Sequence, residues 1–140
     1  MPLDTSCIFC KIIAGAIPCR KLHEDDRTLA FLDIGPLSRG HCLIIPKTHV
    51  VTLDQLDEDH AAAIGTLAPR LGRAVQQAVN CPGWNLLQNN GKTAGQVVMH
   101  VHFHIIPRTE GDPLGFRWPA GKLDPDVAAQ LQSDITRHLA

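Results

Sequence analysis

The sequence predicts a single α+β domain, residues 1–140: a five-stranded antiparallel sheet with one long helix and short terminal helices. Three observations lead there. Short apolar stretches are divided by turn-forming residues, segment 57–79 repeats its apolar positions at three and four, and no linker or internal repeat interrupts the chain. A length of 140 residues suits one hydrophobic core.

The elements follow in order. Ser6 is placed to cap a short helix through Cys7–Ile13, with Gly15 as its stop. Pro18 opens an extended stretch from Cys19 to Glu24, Asp25-Asp26 is a turn signal, and Arg27 to Ile34 reads as the returning strand. Gly35 to Gly40 is loop chemistry, and His41 to Ile45 is a buried strand ended by Pro46. Ala61, Ile64, Leu67, Leu71, Val75 and Val79 form the apolar stripe of a long amphipathic helix that Pro69 is expected to kink or break. Trp84 to Gln88 is the fourth strand, Asn89 to Gln96 a polar loop, and Val97 to Ile106 the longest strand. Asp124 and Pro125 carry the capping chemistry of a final helix ending near His138.

Composition excludes several classes of function. Hydrophobic residues make up 44% and charged residues 19%, with a formal net charge of −1, so there is no electrostatic footprint for duplex nucleic acid. No apolar run is long enough for a bilayer, and Met1 to Ser6 resembles no secretory leader, so a cytoplasmic protein without a membrane partner is expected. Five cysteines cannot all pair within one chain, and Cys7-Ile8-Phe9-Cys10 points to metal or redox chemistry before a disulfide.

The densest signal is His100-Val101-His102-Phe103-His104. On a strand, alternate residues share a face, which aligns the three imidazoles and sends Val101, Phe103 and Ile105 to the other side. Such a row suits a metal site, or nucleophilic catalysis in which one ring attacks and its neighbours orient it. An imidazole with a reference pKa of about 6.5 is substantially neutral, and therefore nucleophilic, near pH 7. Just upstream, the glycines and amides of Asn89 to Gln96 are suited to approaching a phosphate. Gly91-Lys92-Thr93 imitates the end of a P-loop, but the glycine this pattern requires at position 86 is Leu86.

The stretch Gln96 to Ile106 resembles the signature of the histidine triad (HIT) nucleotide hydrolases and transferases. Upstream, Cys7–Ile13, Glu24–Arg27, Ala30–Ile34, Gly40–Lys47 and Asn89-Asn90-Gly91 follow that family's order and spacing. The resemblance implies a HIT-like fold and assigns His102 to attack the α-phosphate, forming a covalent nucleotidyl-imidazole. It implies that His104 contacts the phosphate and assists the leaving group, and that His41 closes the same pocket. Phe31, Asp33 and Ile34 match the wall for base and ribose, with Asp33 accepting from the hydroxyls; Asn89, Gly95, Gln96 and Val97 match substrate-contacting positions. Val97 stands where many relatives carry Ser or Thr, which removes a hydroxyl from the leaving-group side. Relatives that keep the CxxC use it for one structural zinc per chain, and here that implies Cys7, Cys10, His49 and His100. A homodimer is implied as well, with Phe116 to Gly121 resembling a Trp-Pro segment near the partner's pocket. The implied activity is hydrolysis of a purine nucleoside phosphoramidate or related nucleotide. A diadenosine polyphosphate hydrolase, an idle nucleotide-binding module and a zinc hydrolase using all three triad histidines are the rivals.

Overall fold

The computed structural model describes residues 2–115 and 118–139. Its centre is a five-stranded antiparallel sheet in the order β1-β2-β3-β5-β4, built from β1 Lys21–Glu24, β2 Thr28–Leu32, β3 Cys42–Pro46, β4 Gly83–Gln88 and β5 Phe103–Arg108. The helices are α1 Ile8–Ile13, α2 Glu58–Val79 and α3 Pro125–Leu139.

Strand alternation sorts side chains onto two buried faces. Ala30, Cys42, Ile44 and Ile105 point to one face and pack against Ile64, Leu67, Ala68, Leu71 and Val75 of α2. Leu29, Phe31, Leu43 and Ile45 point to the other, where Phe9 of α1 covers them. Burial on both faces explains why β2 and β3 read as unbroken apolar runs rather than alternating ones.

The long helix begins at Asp57, whose carboxylate accepts from the backbone N–H of His60 at 3.0 Å, and ends at Asn80 in the left-handed region. Pro69 lies inside it without ending it. Gly72 is required by packing: a Cβ there would come within 2.2 Å of the Trp84 ring on β4.

Several local expectations are corrected. Cys7, not Ser6, caps α1, its sulfur accepting from Cys10 N at 3.5 Å. The last strand begins at Phe103 rather than Val97. Residues 97–102 run beside the sheet, where Val101 N donates to Val50 O at 2.8 Å. Ladder pairing gives way there because the side chain of Gln96 binds Val51 O and Val98 O, pulling the segment toward the loop at 51. Val101 is nevertheless fully buried, and Phe103 and Ile105 pack on the α2 side. Of the segment at 116–121, Phe116 and Arg117 lie outside the described residues, and Trp118 is 85% exposed. No helix among the described residues is long and apolar enough to cross a membrane.

Candidate active site

The face of the sheet that carries α1 opens into a cavity of about 410 Å³. Phe31, Asp33, Ile34, His41, Val97, His102 and His104 all line it. The chain brings them together simply. β3 starts directly after His41, β5 carries His104, and Leu43 pairs with His104 across the ladder. Gly40 lets the loop before His41 pass closely over α2: it has φ +92°, and a Cβ there would meet Val79 at 2.8 Å.

The imidazoles form a chain of contacts. The rings of His102 and His104 are 4.9 Å apart between centroids, and Phe9 packs edge-on against His102 at 5.2 Å. His41 Nε2 lies 2.9 Å from His104 Nδ1 and 3.6 Å from a carboxylate oxygen of Asp33. A carbonyl can only accept, so the 2.7 Å contact from His102 Nδ1 to His100 O places the proton of His102 on Nδ1. Its Nε2 keeps a free lone pair.

Burial keeps these rings neutral. His41 and His102 are held below the ordinary histidine value by desolvation, opposed in both by the Asp33 carboxylate, and in His102 also by its bond to His100. His104 is pushed down to about 4, first by burial and then by the neighbouring His102 and His41. A neutral ring is the nucleophilic form.

Beside this row, Cys7, Cys10, His49 and His100 converge as a group able to hold a metal ion. His100 Nδ1 lies 3.5 Å from each sulfur and 3.3 Å from His49 Nδ1, and Cys10 Sγ is 3.3 Å from His49 Nδ1. The other nitrogen of His100 lies 3.0 Å from the carbonyl of Pro46, which makes Nε2 the donor and turns the Nδ1 lone pair toward the cluster. Burial pushes the Cys10 thiol up to about 11, a penalty that a cation among these four atoms would remove.

Three candidate residues stand elsewhere. The amide of Gln96 is consumed in the loop: it accepts from Gly91 N at 2.7 Å and donates to Val51 O and Val98 O at 2.7 and 3.0 Å. Asn89 donates to Gly95 O at 3.5 Å, and none of the three lines the cavity. Ile34 is 97% exposed at the rim, so plain core packing does not account for it. Phe31 serves both purposes, packed in the core beneath α1 while lining the cavity. Phe9, Ile12, Ile17, Pro18, Leu37 and Leu43 complete the cavity wall without a motif in the sequence that marks them. Only the apolar spacing of Phe9 and Ile12 on α1 could have signalled them.

The chain is similar to known proteins in sequence and in fold. An adenylylsulfatase HINT3 from Arabidopsis thaliana is 48% identical over 98% of this chain and 71% of its own length. An adenosine 5'-monophosphoramidase hnt1 from Schizosaccharomyces pombe is 46% identical over 94% of this chain and 96% of its own. The crystal structure of a zinc-bound histidine triad family protein from Mycobacterium smegmatis superposes with a TM-score of 0.74 at 38% identity, covering 94% of this chain and 97% of that one. The model of the HIT domain matches residues 14–111, and the chain belongs to the HIT family.

Proposed function

We propose that this protein hydrolyses nucleoside 5'-phosphoramidates and related nucleotides at the α-phosphate, through a nucleotide carried covalently on His102. The observation that carries the reading is the His102 Nδ1–H bond to the His100 carbonyl, which leaves Nε2 unprotonated in a cavity of nucleotide size.

In the first step, the Nε2 lone pair attacks phosphorus and the bond to the leaving nitrogen breaks. The ring becomes a phosphorylated imidazolium, its Nδ1–H retained on the His100 carbonyl. The departing amine takes a proton from solvent. In the second step water attacks phosphorus, the phosphorus–Nε2 bond breaks, and His102 returns to its neutral form. Water's protons offset the one taken by the amine. His104 supplies a hydrogen bond to the charge developing around phosphorus. Phe31 and Ile34 offer apolar surface to the base, and the Asp33 carboxylate accepts from the ribose hydroxyls.

The Cys7, Cys10, His49 and His100 cluster suits zinc. Bonds of about 2.0–2.1 Å to nitrogen and about 2.3 Å to sulfur would set tetrahedral ligand atoms roughly 3.3–3.8 Å apart. The separations of 3.3–3.5 Å agree with that spacing. With both cysteines and both histidines as ligands the ion would be structural, fixing the chain beside the nucleophile. The zinc-bound relative supports this reading.

Exposed surface and unpaired sulfur support two further parts of the reading. β4 is an edge strand with Leu86 exposed, and Val127, Leu131 and Ile135 form an exposed apolar stripe on α3; both support a homodimer. All five cysteines are free, which supports a reducing, cytoplasmic setting.

The likeness to an adenylylsulfatase favours a second substrate class, the mixed anhydrides of a nucleoside monophosphate, cleaved by the same two steps. Acid-free quenching of the enzyme with an adenylate phosphoramidate tests the reading. An adenylyl group mapped to His102 is expected; full turnover by His102→Ala would refute it.

A further inference from the structure

Asp33, His41 and His104 bring ligand atoms within 4.8 Å of one another, a second arrangement that resembles a metal site. One hydrogen bond argues against a metal there. The backbone N–H of Leu37 points at His41 Nδ1 at 3.0 Å, and a backbone N–H can only donate. His41 Nδ1 is therefore an acceptor, and the single proton of the neutral ring sits on Nε2. A cation would need the Nε2 lone pair, which the ring does not offer while Leu37 occupies the other nitrogen.

The constraint passes onward. His41 Nε2–H lies 2.9 Å from His104 Nδ1, so His104 must accept there and carry its own proton on Nε2. Protonating His104 on both nitrogens would set two N–H groups against each other across that gap. Leu37 thus makes His104 a neutral donor.

What holds Leu37 in place is the loop itself. Ser38 Oγ donates to the carbonyl of Pro107 on β5 at 2.7 Å, and His41 N donates back to Ser38 O at 3.1 Å. Gly35 N donates to Asp33 at 2.8 Å, closing the front of the same loop. Ser38 is the only side chain among the described residues 34–40 with a hydrogen bond to the strand that carries His104.

We propose that Ser38 and the Leu37 amide are positioning groups that fix the proton positions of the His41–His104 pair, so that His104 faces the reaction as a neutral Nε2–H donor. The effect on turnover rests on the phosphoryl-transfer reading above; the proton positions do not, and can be read without substrate.

The test is long-range proton–nitrogen NMR on the full-length protein labelled with 15N-histidine. In the wild type, His41 and His104 should both show a protonated Nε2 and a bare Nδ1. Ser38→Ala should populate the other tautomer at one or both rings and lower kcat by at least about tenfold with KM little changed. Ser38→Thr, which keeps the hydroxyl, should restore both. A wild-type spectrum with a proton on His41 Nδ1 overturns the proposal even if the alanine variant fails to fold. So does a Ser38→Ala protein whose two rings keep the wild-type tautomers. If the tautomers behave as described but His102→Ala still turns over, the hydrolase reading fails and the positioning role stands.

Discussion

The carbonyl of His100 accepts from Nδ1 of His102 at 2.7 Å, while the ring of His100 turns its own Nδ1 into the Cys7, Cys10 and His49 cluster. One residue therefore joins the two parts of the site. Its side chain is available to a metal, and its backbone carbonyl fixes the proton of His102 on Nδ1. This relationship separates the roles of adjacent triad histidines and sets the first expectation.

His102→Ala should reduce turnover of an adenylate phosphoramidate by at least about 10⁴-fold, since the covalent path loses its only nucleophile. The same variant should keep its metal, because His102 is not among the four converging residues. Metal content by mass spectrometry of the native protein, beside steady-state rates, checks both halves. Loss of metal together with activity would indicate a three-histidine metal enzyme instead.

His49→Ala should act in the opposite sense. Removing one of four ligands should lower Tm by about 10 °C or more, because metal binding is coupled to folding at a closed site. Chelation of the wild type should likewise destabilise the protein before chemistry stops. Calorimetry with parallel rate measurements tells the cases apart; an immediate loss of turnover at unchanged Tm would place the metal in the chemistry.

Asp33 lines the cavity with its carboxylate one-fifth exposed, 3.6 Å from Nε2 of His41. Asp33→Asn should lower kcat/KM for ribonucleotide substrates by about tenfold, the worth of one charged hydrogen bond, and much less for 2',3'-dideoxy substrates. Equal losses for both sugars would remove Asp33 from ribose recognition.

Gly72→Ala addresses the scaffold rather than the site. The new methyl group would strike the Trp84 ring at 2.2 Å, so either that ring or α2 must shift. A loss of about 1–3 kcal/mol in denaturant unfolding is expected, with the mechanism of turnover unchanged.

The buried histidines make stability depend on pH. His41 and His104 have folded pKa values below the unfolded reference, with His104 near 4. Between about pH 6.5 and pH 4 the unfolded chain binds these protons and the folded chain resists them. Their contribution to stability is thus present above pH 6.5 and lost as pH falls through this window. Tm measured from pH 8 to pH 4 should decline in that range, and a flat profile would contradict the neutral-ring assignment.

Much of this was legible in the chain before any coordinates. The three-and-four apolar repeat marks the long helix, because that period is imposed by backbone geometry, while turn residues bound the strands and capping residues mark the terminal helices. The sequence predicts the triad strand from Val97, and the structure begins it at Phe103. Its run of Val97, Val98 and Val101 looks like a buried strand, but whether that segment pairs is decided by the side chain of Gln96, a tertiary contact without a local pattern. The family resemblance assigns Gln96 to substrate contact, and the amide is engaged here with the backbone of Gly91, Val51 and Val98, a tertiary arrangement that residue identity does not display. Ser6 lost the cap to Cys7 for a related reason, since Asp4 takes the Ser6 hydroxyl at 2.6 Å. The backbone donors and acceptors that set the histidine tautomers, Leu37 N–H and the carbonyls of Pro46 and His100, leave no mark on residue identity at all.

The covalent path has a stereochemical consequence at phosphorus. Two in-line displacements, first by His102 and then by water, each invert the centre. A substrate made chiral at the α-phosphorus with sulfur, hydrolysed in ¹⁸O-water, should therefore give a nucleotide of retained configuration. An inverted product would mean that water attacks phosphorus directly and that His102 is not the nucleophile.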